Sequence, residues 1–166
     1  KASFLVGGRA SYAHLFLKLT DNKNSAYFYD LNTKLNYKLN DKNSLYLSGY
    51  FGRDIFDLAQ TIKNSYGNSL VNLRWNHLFS DQLFSNLSLI YSDYYYGLNV
   101  DISGFKWDSW VRNFNLLYDF KHYLLEKVKL GYGLQATYYD FNPGELTPIG
   151  DATIRHKVLP HKYALE

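Results

Sequence analysis

The chain has 166 residues, a formal net charge of +3 and a mean hydropathy of −0.34, a size that suits one compact domain. So small a charge leaves no basic footprint for a nucleic-acid backbone, and no apolar run approaches the ~18 residues of a membrane helix. Neither fact excludes a membrane crossed by strands, because barrel strands are apolar only at alternate positions.

The elements, taken in chain order, are almost all strands. Residues 3–8 read as a short extended segment. "SYAHLFLKL" at 11–19 reads as a turn or two of helix inside a connection. Residues 26–39 form the clearest strand, and 44–53 follow after Asp41-Lys42-Asn43. Residues 69–79 come next, then 83–94 after Ser80-Asp81-Gln82. Residues 110–121 and 128–139 pair around the connection 122–127. A last strand starts near Lys162.

The connections after the second, fourth and sixth strands are short. Those after the first, third, fifth and seventh are expected to be long, at 9–25, 54–68, 95–109 and 140–161. Outer-membrane barrels sort loop lengths in this way, with short periplasmic turns and long external loops. Four long structureless loops in one small domain would otherwise count against the assignment.

Alternation within the strands is sharp. Tyr27, Tyr29, Leu31, Leu35, Tyr37 and Leu39 share one side of the second strand, and Asp30, Asn32, Lys34, Asn36 and Lys38 share the other. In the fourth, Val71, Leu73 and Trp75 oppose Asn72, Arg74 and Asn76. In the sixth, Phe114, Leu116, Tyr118 and Phe120 oppose Asn113, Asn115, Asp119 and Lys121. In the seventh, Val128, Leu130, Tyr132, Leu134, Ala136 and Tyr138 oppose Lys129, Gln135 and Thr137. A soluble sheet packed on a second layer can alternate like this, and so can a membrane barrel around a polar lumen.

Length separates the two. Tyr27 and Tyr37 share a face and lie ~33 Å apart at ~3.3 Å per residue. A tilt of ~45° makes that ~23 Å of height, close to the ~25 Å apolar band between aromatic girdles. Aromatic residues are 19 % of the chain, with 17 Tyr, and such rings favour the boundary because body and tip prefer different media. No helices are expected to cover the apolar faces. The fold class is therefore all-β, an antiparallel transmembrane β-barrel. The first and last strands read as shorter than the ~9–11 residues of a spanning strand, and an unpaired edge in lipid costs several kcal/mol per group. The chain is expected to be a slice of a larger barrel. Residues 1–10 show no signal-peptide pattern and there is no initiator Met, so a mature form or a fragment is expected. The absence of Cys fits many compartments.

Five stretches carry a resemblance: "SFLVGGRASYAHLFLKL" at 3–19, "YFYDLNTKLNYKLNDKNSLYLSGYFGRDIF" at 27–56, "LRWNHLFSDQLFSNLSLIYSDY" at 73–94, "FNPGEL" at 141–146 and "KYALE" at 162–166. Together, in collinear order, they resemble TonB-dependent outer-membrane receptors, in particular the Bacteroidetes-type receptors with a carboxypeptidase-regulatory-like domain. The resemblance implies a plugged barrel of roughly 22 strands. Residues 1–166 would supply about eight N-terminal strands of it, directly after the plug. It further implies energised uptake of a nutrient such as a siderophore, sugar or peptide across the bacterial outer membrane. The implied partners are outer-membrane lipid, the plug domain and remaining barrel strands, the TonB complex through a region N-terminal to this chain, and a surface lipoprotein. No nucleic acid, no metal, no cofactor and no enzyme activity are implied. A rival reading is a receptor-like barrel serving as a structural component of an outer-membrane secretion or lipoprotein assembly.

In that frame Asp30, Lys34, Lys38, Asn72, Arg74, Asn76, Asn113, Asn115, Asp119, Lys129 and Gln135 are the candidate lumen residues, contacting the plug or lining its channel. "YSDYYYGLNV" at 91–100 is the candidate ligand-facing stretch, with Tyr94, Tyr95 and Tyr96 stacking on substrate, though the same tyrosines would serve as the outer girdle. No catalytic constellation stands out. The five histidines are scattered, and His77 and His122 read as periplasmic rim residues. His156 and His161 are five apart in one loop with no element to converge them. The pairs Asp54/Asp57 and Asp101/Asp108 read as solvated loop charges. Gly131-Tyr132-Gly133 has no helix after it and is no phosphate loop.

Overall fold

Alternating β-branched, aromatic and polar residues give long strands, and the hairpin turns between them fold the chain into one antiparallel sheet. The computed structural model describes residues 1–12, 15–16, 19, 23–150 and 156–165. The strands are β1 (Ala2–Ala10), β2 (Ser25–Asn40), β3 (Asn43–Leu58), β4 (Ile62–Ser80), β5 (Leu83–Val100), β6 (Phe105–Leu125), β7 (Val128–Pro148), β8 (Lys157–Val158) and β9 (Lys162–Leu165). They lie side by side in chain order, with β8 and β9 both against β7. The helical turn expected at 11–19 lies largely outside the described residues; Leu15 and Phe16 are helical.

Three of the expected long loops are corrected. Residues 54–58 and 62–68 extend β3 and β4, leaving only 59–61 as their connection. Residues 95–100 and 105–109 likewise extend β5 and β6 around 101–104, and β7 continues to Pro148. The hairpins are therefore long paired ribbons with tight tips. The opposite ends turn as expected at 41–42 and 81–82; the connection expected at 122–127 is only 126–127, because β6 runs on to Leu125. The first strand is also longer than expected, at 9 residues.

The return strand after β7 is split. Val158 pairs with Glu145 and Lys162 with Phe141, so β8 and β9 hold one register along β7. The Leu159 amide donates to the Gly144 carbonyl at 2.9 Å, which places Pro160 beside Pro143. In an antiparallel ladder the pair next to a hydrogen-bonded one points its amides outward. Pro143 therefore points its missing N–H at Ser109 of β6, within the bulge of β7, and Pro160 at the open edge, where no donor is needed.

No apolar residue is buried among the described residues; the four buried polar side chains are Asp30, Ser85, Thr137 and Asn142. A soluble sheet of this size would hide one face. Here Leu89 and Phe114 stay 46 % and 53 % exposed on strands flanked on both sides. Register aligns their face into continuous tiers: Leu35, Leu47, Leu73, Leu89, Leu116 and Ala136 form one, and Tyr37, Leu45, Trp75, Leu87, Tyr118 and Leu134 the next. Below them His77, Phe79, Phe120 and Tyr132 form an aromatic edge continuous with Trp75, with Phe120 stacked on Tyr132 at 5.1 Å.

The apolar band also slants. Its midpoint is Thr33 on β2, whose register partner five strands on is Tyr138, but on β7 the midpoint falls at about Leu134. Four residues are ~13 Å along the strand, against ~24 Å across five strand spacings. A level band thus requires the strands to tilt by ~30°, near the 35–45° of barrel walls.

Candidate functional site: the polar face and its aromatic mouth

Alternation sets the opposite face. The structure places all eleven candidate lumen residues on it, in consecutive tiers. Lys34, Asn72 and Asn115 share a tier with Ser48, Ile90 and Thr137. Arg74 and Gln135 share the next, and Lys38, Asn76 and Asp119 the one after. Asp30 and Asn113 occupy the two tiers above, and Lys129 sits at the lower rim with its ammonium 5.5 Å from the Tyr123 ring centre.

The tiers are cross-linked by hydrogen bonds. Ser92 donates to Asn113 Oδ1 at 2.8 Å, Asn115 Nδ2 donates to the same oxygen at 3.1 Å, and Thr137 donates to Asn115 Oδ1 at 2.6 Å. Asp30 takes the Arg9 guanidinium, and Arg74 stacks on Tyr46 at 4.7 Å. Buried acceptor oxygens of Asn64, Asn72 and Asn76, on the same face, have no partner among the described residues. Unpaired buried acceptors of this kind call for a partner or water. Thr137→Val should cost about 1–3 kcal/mol, because it strands the Asn115 oxygen; a denaturant titration of the folded protein measures it.

Above the apolar band the two faces exchange character. On the polar side, Leu58, Ile62, Val100, Phe105 and Pro148 form one tier and Phe56, Asn64, Leu98, Trp107 and Leu146 the tier below it. On the other side the matching tiers carry Asp57, Lys63, Asn99 and Lys106, then Asp108 and Glu145. The ribbons therefore rise past the apolar band with their charged side outward and an aromatic side inward.

The three candidate tyrosines are split by this geometry. Tyr94 and Tyr96 lie on the inward face, and Tyr94 borders a groove of about 500 Å³ with Val111, Phe141 and Lys162. Tyr95 lies on the outward face, so the three do not form one stacking surface. Its hydroxyl donates to Asp108 Oδ1 at 2.8 Å, and burial first, then this bond, holds the phenol above its ordinary range. The same Asp108 binds Lys106 at 2.8 Å and raises that ammonium's pKa.

The remaining candidates are engaged separately. His156 meets Glu145 at 2.9 Å and His161 packs edge-on against Trp110 at 5.3 Å. Asp54 and Asp57 lie on opposite faces of β3. His77 Nδ1 and Trp75 Nε1 both bind Asn43 Oδ1, at 2.7 and 3.0 Å, at the lower rim. Sequence reasoning missed the outward cluster of Arg53, Asp93 and Arg112. Its signal was available: all three carry charge at positions whose parity belongs to the apolar face.

One open antiparallel sheet, apolar along one side and hydrophilic along the other, matches part of the wall of a β-barrel. Among solved structures it is similar to the ferric preacinetobactin receptor BauA from Acinetobacter baumannii, with a TM-score of 0.56 and 16 % identity over 75 % of this chain. The chain spans only 24 % of that receptor's length. No protein-family model matches the chain, and no curated protein matches its sequence.

Proposed function

We propose that the chain is part of the barrel of an outer-membrane receptor that takes up a nutrient in an energy-coupled, TonB-dependent way. The observation that carries this reading is the continuous apolar face, tilted like a barrel wall, backed by a polar face with unpartnered Asn acceptors. A polar plug seated against Asp30, Lys34, Lys38, Asn72, Arg74, Asn76, Asn113, Asn115, Asp119, Lys129 and Gln135 would satisfy those acceptors. The open edges at β1 and β9 would pair with further barrel strands, since an edge in lipid leaves backbone groups unsatisfied. The likeness of fold to a ferric preacinetobactin receptor supports an uptake role, and the Bacteroidetes-type assignment belongs to the same proposal. The inward aromatic mouth, with Tyr94 and Tyr96, is the place where substrate would first stack.

The test uses the intact protein in its own cells. Membrane fractionation should recover it in the outer membrane, as a heat-modifiable barrel. Uptake of a panel of labelled ferric siderophores, cobalamin, oligosaccharides and peptides should include one whose entry stops when TonB is deleted. Recovery as a water-soluble monomer would overturn the reading. Outer-membrane recovery with no TonB-dependent uptake would favour the scaffold role instead.

A further inference from the structure

The outward face changes abruptly from apolar to charged, and it does so at a built cleft. Going up β3 the last apolar residue before the change is Phe51 and the first charge is Arg53. On β5 the pair is Tyr91 and Asp93, and on β6 it is Phe114 and Arg112. Phe51, Arg53, Asp93 and Arg112 line a cleft of about 220 Å³ together with Ser69, Tyr95 and Trp110, beside the backbone of Gly52 and Gly67; Tyr91 and Phe114 lie just below it.

Both guanidiniums lie over aromatic rings. Arg112 lies 4.0 Å over the Trp110 ring and donates from Nε to Asp93 at 3.1 Å, which leaves its terminal N–H groups free of that bond. Arg53 reaches across Gly67 to lie 4.9 Å over Tyr95. A Cβ at Gly67 would sit 2.7 Å from the Gly52 carbonyl, so the close approach of these two strands beside Arg53 requires glycine there. Among the described residues Arg53 has no carboxylate partner, and Asp93 is taken by Arg112. Arg112 is flanked by Asp93 and Asp140 in its tier, so Arg53 is the guanidinium of this cleft that has no ion pair among the described residues. A stacked guanidinium keeps its N–H edge free for a planar or tetrahedral oxyanion.

Resting on the membrane reading above, we propose that this cleft binds the phosphate of an anionic lipid headgroup at the outer boundary of the membrane. The acyl chains would run down the face of Val71, Tyr91 and Phe114 directly below. The occupant is a lipid and not a soluble anion because the cleft opens onto that apolar face, outside the barrel and away from the polar lumen.

The test places the intact protein in nanodiscs of phosphatidylcholine alone or doped with lipid A, whose sugar bears phosphomonoesters, and counts retained lipids by native mass spectrometry. Wild type should retain lipid A over phosphatidylcholine, and Arg53→Gln and Arg112→Gln should each lower that preference about five-fold. Lys42→Gln, in a turn at the opposite rim, should leave it unchanged. Arg53→Lys keeps the charge without the planar fork and should fall between. Equal retention of both lipids by an inserted wild type overturns this site alone, as does displacement of lipid A by millimolar inorganic phosphate. A wild type that fails to insert overturns the membrane reading and this site together.

Discussion

Leu116→Arg should destabilise the folded protein in lipid vesicles by about 2–4 kcal/mol, and Leu117→Arg, one residue along, should cost far less. The two positions differ only in face. Leu116 lies directly between Leu89 and Ala136, near the middle of the apolar band. An arginine there must drag its guanidinium through hydrocarbon to the boundary. Leu117 lies between Ser88 and Gln135, on the side that carries Arg74 and Lys34. An arginine there meets polar neighbours. Denaturant titrations of the intact protein in vesicles, followed by tryptophan fluorescence, give both costs. Equal penalties would mean that the two faces are assigned the wrong way round or that neither touches lipid.

The same period-2 rule that makes this prediction sharp also made most of the sheet legible in the residues themselves. Once residues 26–39 are a strand, the shared side of Asp30, Lys34 and Lys38 follows from the pleat alone. The extended hairpins were not legible for two reasons. Above the band the aromatic residues change parity, so that Phe56 and Tyr66 continue on the face of Asp30 and Asn72. A search for one persistent apolar side loses the pattern there. The tip at 58–61 also lacks the usual sequence mark. Ala59 and Gln60 both have left-handed backbone, with φ of 52° and 59°, where a turn of this kind normally shows Asn or Gly. The conformation is held instead by Asn24 Oδ1 accepting from the Ala59 amide at 2.9 Å and Asp57 Oδ1 accepting from the Gln60 amide at 3.0 Å. Asn24 is 35 positions away, so no local window could contain that explanation. Tyr94, Tyr95 and Tyr96 teach the converse. As a run they look like one aromatic surface, but within a strand adjacent residues point apart, and recognising β5 as continuing to Val100 is what divides them.

Gly144→Ala should destabilise the β6–β7 ribbon by about 1–3 kcal/mol while leaving the membrane-level part of the sheet intact. At this point Asp108 pairs with Glu145 but Trp110 pairs with Asn142, so Pro143 and Gly144 together oppose Ser109. This is a bulge, and bulges at barrel rims bend a strand and re-aim the residues beyond the bend. Gly144 makes the bend with φ of +157° and its own amide donating to Asn142 Oδ1 at 3.0 Å. A Cβ here would fall inside the indole of Trp107. The alanine variant must expel that ring or flatten the bulge. Either response moves Leu146 and Glu145 away from the mouth and frees His156 from its carboxylate partner. Near-UV circular dichroism should show loss of the Trp107 environment, and limited proteolysis should cut the ribbon above residue 140. Gly131→Ala is the matched control: it lies on the polar face with nothing within 4 Å of the added carbon, and it should leave both readouts as in wild type. Matching spectra and cleavage for the two variants would mean that the bulge does not shape the mouth, and that Tyr94 and Tyr96 owe their placement to the pleat of β5 alone.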